Sequence, residues 1–198
     1  DTYLPPYESG VEAGALTVMS SFNDISGIPG SANPYTLTEI LKKRWKHDGF
    51  VVSDWGAIQQ LRSQGVAADC AEAALKAFNA GLDMDMMNRC YDAHLADLVR
   101  AGKVSQERLD DAVRRVLRVK FRLGLFEHPY TPESTEEERF LRPEDLAVAE
   151  QLAAESMVLL KNENNVLPIE QARRIAVIGP MSKSRFHLLG SWAAHGSG

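Results

Sequence analysis

Residues 50–57 read FVVSDWGA, a run of aromatic and β-branched residues that stops on one carboxylate, Asp54, with Trp55 and Gly56 directly behind it. A buried strand that ends on an acid and a large flat ring implies that the end opens onto a cleft. A carboxylate at a wet strand tip stays ionised while the strand holds it rigidly. Those are the requirements of a nucleophile or base that attacks along one line. Trp55 offers a flat apolar face of the kind that stacks on the C–H face of a sugar ring. Gly56 lets the chain turn tightly away. An aspartate at a strand end is also a common helix cap, and residue types alone leave both readings open.

Other polar residues give weaker signals. Asp83 and Asp85 fall two apart in AGLDMDM, so both point to one side of a strand, opposite Leu82, Met84 and Met86. Such a pair could act as general acid and base; hydrogen bonding to neighbouring strands and loops is the favoured reading. The histidines at 47, 94, 128, 187 and 195 show no metal-ligand spacing, so no metal site is expected. Cys70 and Cys90 lie far apart in a chain too large to need stapling, and two free thiols are expected. ISGIPGSAN is a glycine-rich turn without the lysine of a phosphate loop, and Pro180 removes an N–H that a nucleotide turn at IAVIGPMS would need. No cofactor is implied.

The net charge of −5 argues against nucleic acid, and the pairs Arg114-Arg115 and Arg173-Arg174 read as solvated surface. No apolar run approaches a membrane span, and DTYLPPYESG has neither the basic start nor the apolar segment of a signal peptide. The apolar fraction of 44% is that of a soluble globular protein.

Three segments must position these residues. ALTVMSSFN (15–23), GFVVSDW (49–55) and AGLDMDM (80–86) read as short buried strands. Between the first two, Leu37, Ile40, Leu41 and Trp45 define one helical face. Between the second and third, Ala71, Ala74, Leu75 and Phe78 define another, stopped by Gly81. Alternating strands and helices imply a parallel sheet, hence the α/β class. Val18 to Val51 is 33 positions and Val51 to Leu82 is 31. An eight-unit (β/α) barrel of about 250 residues allots about 31 to each unit, so three consecutive units of a TIM-like barrel are expected. An open doubly wound sheet has units of similar length, but no dinucleotide fingerprint follows the first strand.

Beyond the third strand, YDAHLADLVRAG (91–102) and a helix capped by Ser105 follow, the latter with Leu109, Val113, Val116 and Leu117 on one face. The acidic, proline-bearing stretch EHPYTPESTEEERFLRPED (127–145) reads as a surface connector. A helix over 145–160 and a strand in RRIAVIGP then open a second α/β unit. The expected organisation is 1–126 as the last part of the barrel, 127–145 as linker, and 146–198 as the start of a truncated α/β sandwich.

These stretches together resemble glycoside hydrolase family 3. VMSSFNDISGIPGSAN resembles the strand and loop before the family's nucleophile, FVVSDWGA its nucleophile strand, and AGLDMDM its last barrel strand. RLDDAVRRVLRVKFRLGLF resembles the helix closing the first domain. AAESMVLLKNENNVLPI and RRIAVIGP resemble the entry to the second domain, and LLGSWAAHG is similar to the periplasmic β-glucosidase branch. The likeness covers nearly the whole chain, in order.

The resemblance implies a retaining β-glucosidase acting on terminal β-linked glucose in glucosides or oligosaccharides, with a periplasmic or secreted location. Asp54 would form the covalent glycosyl-enzyme, and Trp55 and Phe22 would contact substrate. Phe22 stands where many relatives carry a tyrosine, so it would line the wall without a phenolic hydrogen bond. Asn33 matches a recurring asparagine with a loop-stabilising role. The acid/base glutamate would lie beyond residue 198 and a sugar-holding Lys-His pair before residue 1, so the isolated chain is expected to be inactive. A β-xylosidase of the same family, or a non-catalytic sugar-binding or scaffold remnant, are the alternatives.

Overall fold

The computed structural model describes residues 2–131, 141–170 and 174–190. It divides into two compact units, Asp1–Pro132 and Glu133–Gly198. The fold is of the α/β class, as the alternating pattern predicts.

In the first unit, helix α1 (Leu4–Glu12) leads into β1 (Thr17–Met19). A small antiparallel pair follows, β2 (Asp24–Ile25) with β3 (Ile28–Pro29), turning through Ser26 and Gly27, both at positive φ. A 3-10 turn and a ten-residue helix, Tyr35–Arg44, then return the chain to β4 (Phe50–Val52). β1 and β4 pair in parallel with Thr17 against Phe50, Val18 against Val51, and Met19 against Val52. Alanine-rich and apolar positions of α2 (Ala57–Ser63), α3 (Cys70–Ala80) and α4 (Cys90–Arg100) close over this pair. Val51, Ile58, Leu61, Phe78 and Leu82 are completely or almost completely buried. Each large aliphatic or aromatic side chain so placed is worth about 1.5–3 kcal/mol of transfer free energy. Phe78 meets Tyr91 edge-to-face at 5.2 Å.

Several elements depart from the expectations. The Tyr35–Arg44 segment buries Leu37, Ile40 and Leu41 as anticipated, but winds as a π-helix that closes with Trp45 N–H donating to Ile40 O. Asn33 starts it, its Oδ1 accepting from the N–H groups of Tyr35 (3.0 Å) and Thr36 (3.3 Å); the loop-stabilising role holds. The third strand is reduced to one parallel bridge between Val52 and Met84. The reason is local: Val51 O accepts from both Asp83 N and Met84 N, while Val51 N–H donates to the Asp83 carboxylate, so the ladder cannot continue.

Helix α5 (Gln106–Arg122) begins as expected, Ser105 Oγ capping the Arg108 N–H. Its inner face matches the apolar stripe only in part: Leu109 packs against the core and Val116 is half-buried. Val113 and Leu117 are exposed, whereas Ala112 and Val119 are buried with Arg108 and Arg115 on the same side. Arg115 donates to the carbonyls of His47 (2.8 Å) and Gly49 (2.9 Å), and Arg118 to that of Asp48. Arg114 is solvated as anticipated; Arg115 is not. Long side chains lay their stems on the protein and bring donors to carbonyls that helices of shorter residues could not reach.

The cysteines also differ from expectation. Cys70 and Cys90 form a disulfide, with Cα atoms 5.6 Å apart. Each is the first residue of its helix, so the packing of α3 beside α4 brings the two starts together.

In the second unit, helix α6 (Pro143–Glu155) is shorter than the anticipated 145–160. Asn162 brackets Leu167, accepting from its N–H and donating to its carbonyl. The described part of RRIAVIGP, residues 174–180, forms no strand: no neighbouring strand among the described residues pairs its backbone groups. None of the described residues of this unit is buried. Residues 132–140 of the expected connector, Arg173 and the closing SWAAHGSG lie outside the described residues.

Candidate active site

β4 carries the site on its carboxyl end. Val51 and Val52 give it β-propensity, and Ser53, which is completely buried, extends it by one residue. Ser53 is held twice by the segment after α3: its N–H donates to Met84 O (2.9 Å), and its Oγ accepts from Met86 N–H (2.8 Å). Asp54 follows, half-buried, and its Oδ1 accepts the N–H of Trp55 at 2.6 Å. The turn closes with Ala57 N–H on Asp54 O (3.1 Å) and Gly56 N–H on Met86 O (3.2 Å). Gly56 has φ +74°, a left-handed conformation that a side chain would strain. The carboxylate is therefore presented by a strand end fastened on both sides.

Phe22 lies beyond the carboxyl end of β1, the strand next to β4 and parallel to it. Ser20 N–H donates to Val52 O, so the two strands leave the sheet together. The half-buried Phe22 and Asp54 thus share one end of the sheet, and Phe22 O accepts from Gln64 Nε2 (2.9 Å) at the close of α2. Trp55 is 52% exposed and walls a cleft of about 740 Å³ along α2, with Gln59, Ser63, Ala68 and Asn88. Neither Asp54 nor Phe22 lines that cleft, so the three sequence candidates share an end of the fold without sharing a pocket wall.

Asp83 is structural, as the favoured reading has it. Its carboxylate is fully buried and accepts from Lys42 Nζ (2.6 and 2.8 Å), Arg108 (2.8 Å) and Val51 N–H (2.9 Å). Burial pulls the Lys42 ammonium down to about 8; Asp83 opposes the shift and the charge of Arg108 adds to it. The Arg108 guanidinium also covers the Phe78 ring at 4.3 Å. Asp85 accepts from Tyr91 N–H (3.2 Å), and its other oxygen is buried without a hydrogen-bond partner among the described residues. Among the described residues, no group of three or more His, Cys, Asp or Glu is placed to hold a metal ion.

Sequence reading missed Ser53, Asn88 and the Lys42–Asp83–Arg108 cluster. A helix that opens on glycine lacks a side-chain cap of its own, but nothing in the sequence points to Asn88 as the substitute.

The profile described as "Glycosyl hydrolase family 3 N terminal domain" matches residues 1–119, and these include both strands and the Asp54 turn. The chain belongs to glycosyl hydrolase family 3. Among family members, the periplasmic beta-glucosidase of Salmonella typhimurium is 40% identical over 202 residues, covering 98% of this chain and 26% of that protein. A putative beta-xylosidase of Formosa agariphila is 37% identical over 92% of this chain and 25% of its own length. The crystal structure of a beta-glucosidase from Listeria innocua in complex with glucose superposes with TM-score 0.73 at 38% identity, covering 84% of this chain and 23% of that one. The same enzyme is also known as a mutant in complex with laminaribiose, at TM-score 0.72. The chain spans about a quarter of the length of the curated relatives it matches.

Proposed function

We propose that this chain is part of a retaining β-glucosidase that hydrolyses terminal β-linked glucose from glucosides and oligosaccharides. The observation that carries the reading is the Asp54 carboxylate, fixed at the carboxyl end of β4 beside the parallel β1. Family relatives named as beta-glucosidases, and one crystallised with glucose, support it. Asp54 attacks the anomeric carbon as the bond to the leaving oxygen breaks, giving a covalent glycosyl-enzyme. A second carboxyl protonates the leaving oxygen, then removes a proton from the water that frees the sugar. Retention requires the two carboxyl groups to stand about 5–5.5 Å apart. In this reading Trp55 and Phe22 contact substrate from separate surfaces at the end of the sheet that carries Asp54.

Within this reading, residues 1–126 are the last part of a (β/α)8 barrel, 127–145 a linker and 146–198 the start of an α/β sandwich. The 31–33 residue period, the parallel β1–β4 pair and the Met84 bridge support the barrel. The division of compact units at Pro132 supports the boundary. A periplasmic or secreted location fits the disulfide and the periplasmic Salmonella relative. No helix among the described residues is long and apolar enough to cross a membrane. The Formosa relative named as a putative beta-xylosidase supports xylosides as the second substrate class.

The test is trapping. Full-length protein treated with a 2-deoxy-2-fluoro glucoside carries the sugar on Asp54 by peptide mapping, and Asp54→Asn lowers kcat by several orders of magnitude. An adduct on a different carboxylate would overturn the assignment.

A further inference from the structure

The turn that presents Asp54 has a built-in weakness. Gly56 is the N-cap of α2, which its φ of +74° requires, and glycine brings no side chain to satisfy the first amides of the helix. The missing cap comes from 29 positions away. Asn88 Oδ1 accepts the Gln59 N–H (3.1 Å), and Asn88 Nδ2 donates back to Gln59 Oε1 (3.0 Å). This carboxamide pair sits at the third residue of α2, where a resident cap would bond.

Asn88 is itself tightly held. Met87 (φ +70°) and Arg89 (φ +56°) on either side are both left-handed, a conformation that residues with a Cβ keep only where the surroundings impose it. The surroundings are visible: Met86 is bonded to Ser53 Oγ and Gly56 N–H, Asp85 to Tyr91 N–H, and Cys90 is tied covalently to Cys70. Segment 84–90 therefore grips the Asp54 turn before it, at Ser53, and after it, at Gly56 and Gln59. Asn88 also lines the Trp55 cleft, so direct contact with the sugar is the competing role.

We propose that Asn88 is a positioning residue for the Asp54 nucleophile: it caps α2 in trans and so fixes the line along which the carboxylate meets the anomeric carbon. The proposal rests on Asp54 being the nucleophile. A displacement of about 1 Å at a reacting atom costs about 100-fold in rate, whereas ground-state sugar binding is far less sensitive to it.

The experiment uses the full-length protein and the 2-deoxy-2-fluoro glucoside, whose covalent capture reports the attack step alone. Asn88→Ala is expected to slow capture by about 100-fold, with the adduct still on Asp54 and glucose inhibition changed by no more than a few-fold. Asn88→Asp keeps an acceptor for the Gln59 N–H, and Gln59 can turn its amide over to donate, so this variant is expected to recover most of the rate. Capture at the wild-type rate in Asn88→Ala would sink the proposal while leaving the Asp54 reading intact. So would equal losses of capture and glucose affinity, or an Asn88→Asp variant as slow as Asn88→Ala. Should Asn88→Ala fail to fold, the Asn88→Asp rate decides alone: a rate as slow as about one-hundredth of wild type refutes the capping role. A wild-type adduct on another residue would remove the nucleophile reading and this proposal together.

Discussion

Replacing Asp83 by asparagine should strongly destabilise the first unit. The carboxylate is fully buried and accepts from Lys42, Arg108 and Val51 N–H. Asparagine keeps the size but loses the charge and turns an N–H₂ toward two cations. Breaking a buried ion pair on one side costs about 3–5 kcal/mol. The cost has a ceiling here, because Lys42 can escape by losing its proton. Its ammonium already titrates at about 8, and without Asp83 it titrates lower still. Both forms have a folded-state Lys42 value below that of the unfolded chain, so each gains stability as pH rises from its folded value toward the unfolded one. The variant's gain starts at a lower pH. The difference between the two forms is therefore greatest in mild acid, shrinks up to about 8 and is level above it. Urea unfolding of the full-length protein at about pH 6 and about pH 9, followed by tryptophan fluorescence, reads this directly. A destabilisation under about 1 kcal/mol, or one that grows with pH, would refute the reasoning.

Two further changes test the scaffold. Reduction, or the pair Cys70→Ser and Cys90→Ser, removes a cross-link spanning 20 residues. The chain-entropy account values it at about 3 kcal/mol, which a lower urea midpoint would reveal; an unchanged midpoint contradicts it. Gly81→Ala places a methyl 2.5 Å from Thr38 Oγ1 on a residue at φ +114°, and should cost about 3 kcal/mol by the same measurement. Tolerance within about 0.5 kcal/mol would mean that the π-helix yields readily at Thr38.

The strand positions could be read from β-branched runs, because Val18 and Val51 are the residues of β1 and β4 that turn toward the helices. The Asp54 tip was legible for the same reason: its residue types change abruptly where the sheet stops. The π winding of Tyr35–Arg44 was hidden, since Leu37, Leu41 and Trp45 recur every four residues and suit either winding. The face of α5 was legible only at Leu109 and Val116, because periodicity tracks apolar residues, whereas Arg108 and Arg115 hold this helix to a carboxylate and to chain carbonyls. The third strand was over-read: no pattern announces that Asp83 will take the amide a neighbouring strand needs. Asn88 and the disulfide depend on the approach of segments 20 to 29 positions apart, which single-sequence patterns do not encode.

The Cys70–Cys90 link closes a ring that includes all of α3, Asp83, the Met84 bridge and Asn88. A protease that cuts once anywhere inside it opens the polypeptide without releasing a piece. Such a nicked molecule would run as one band on a gel until thiol is added, then as two. The stretch that grips the Asp54 turn is thereby retained after a single cleavage.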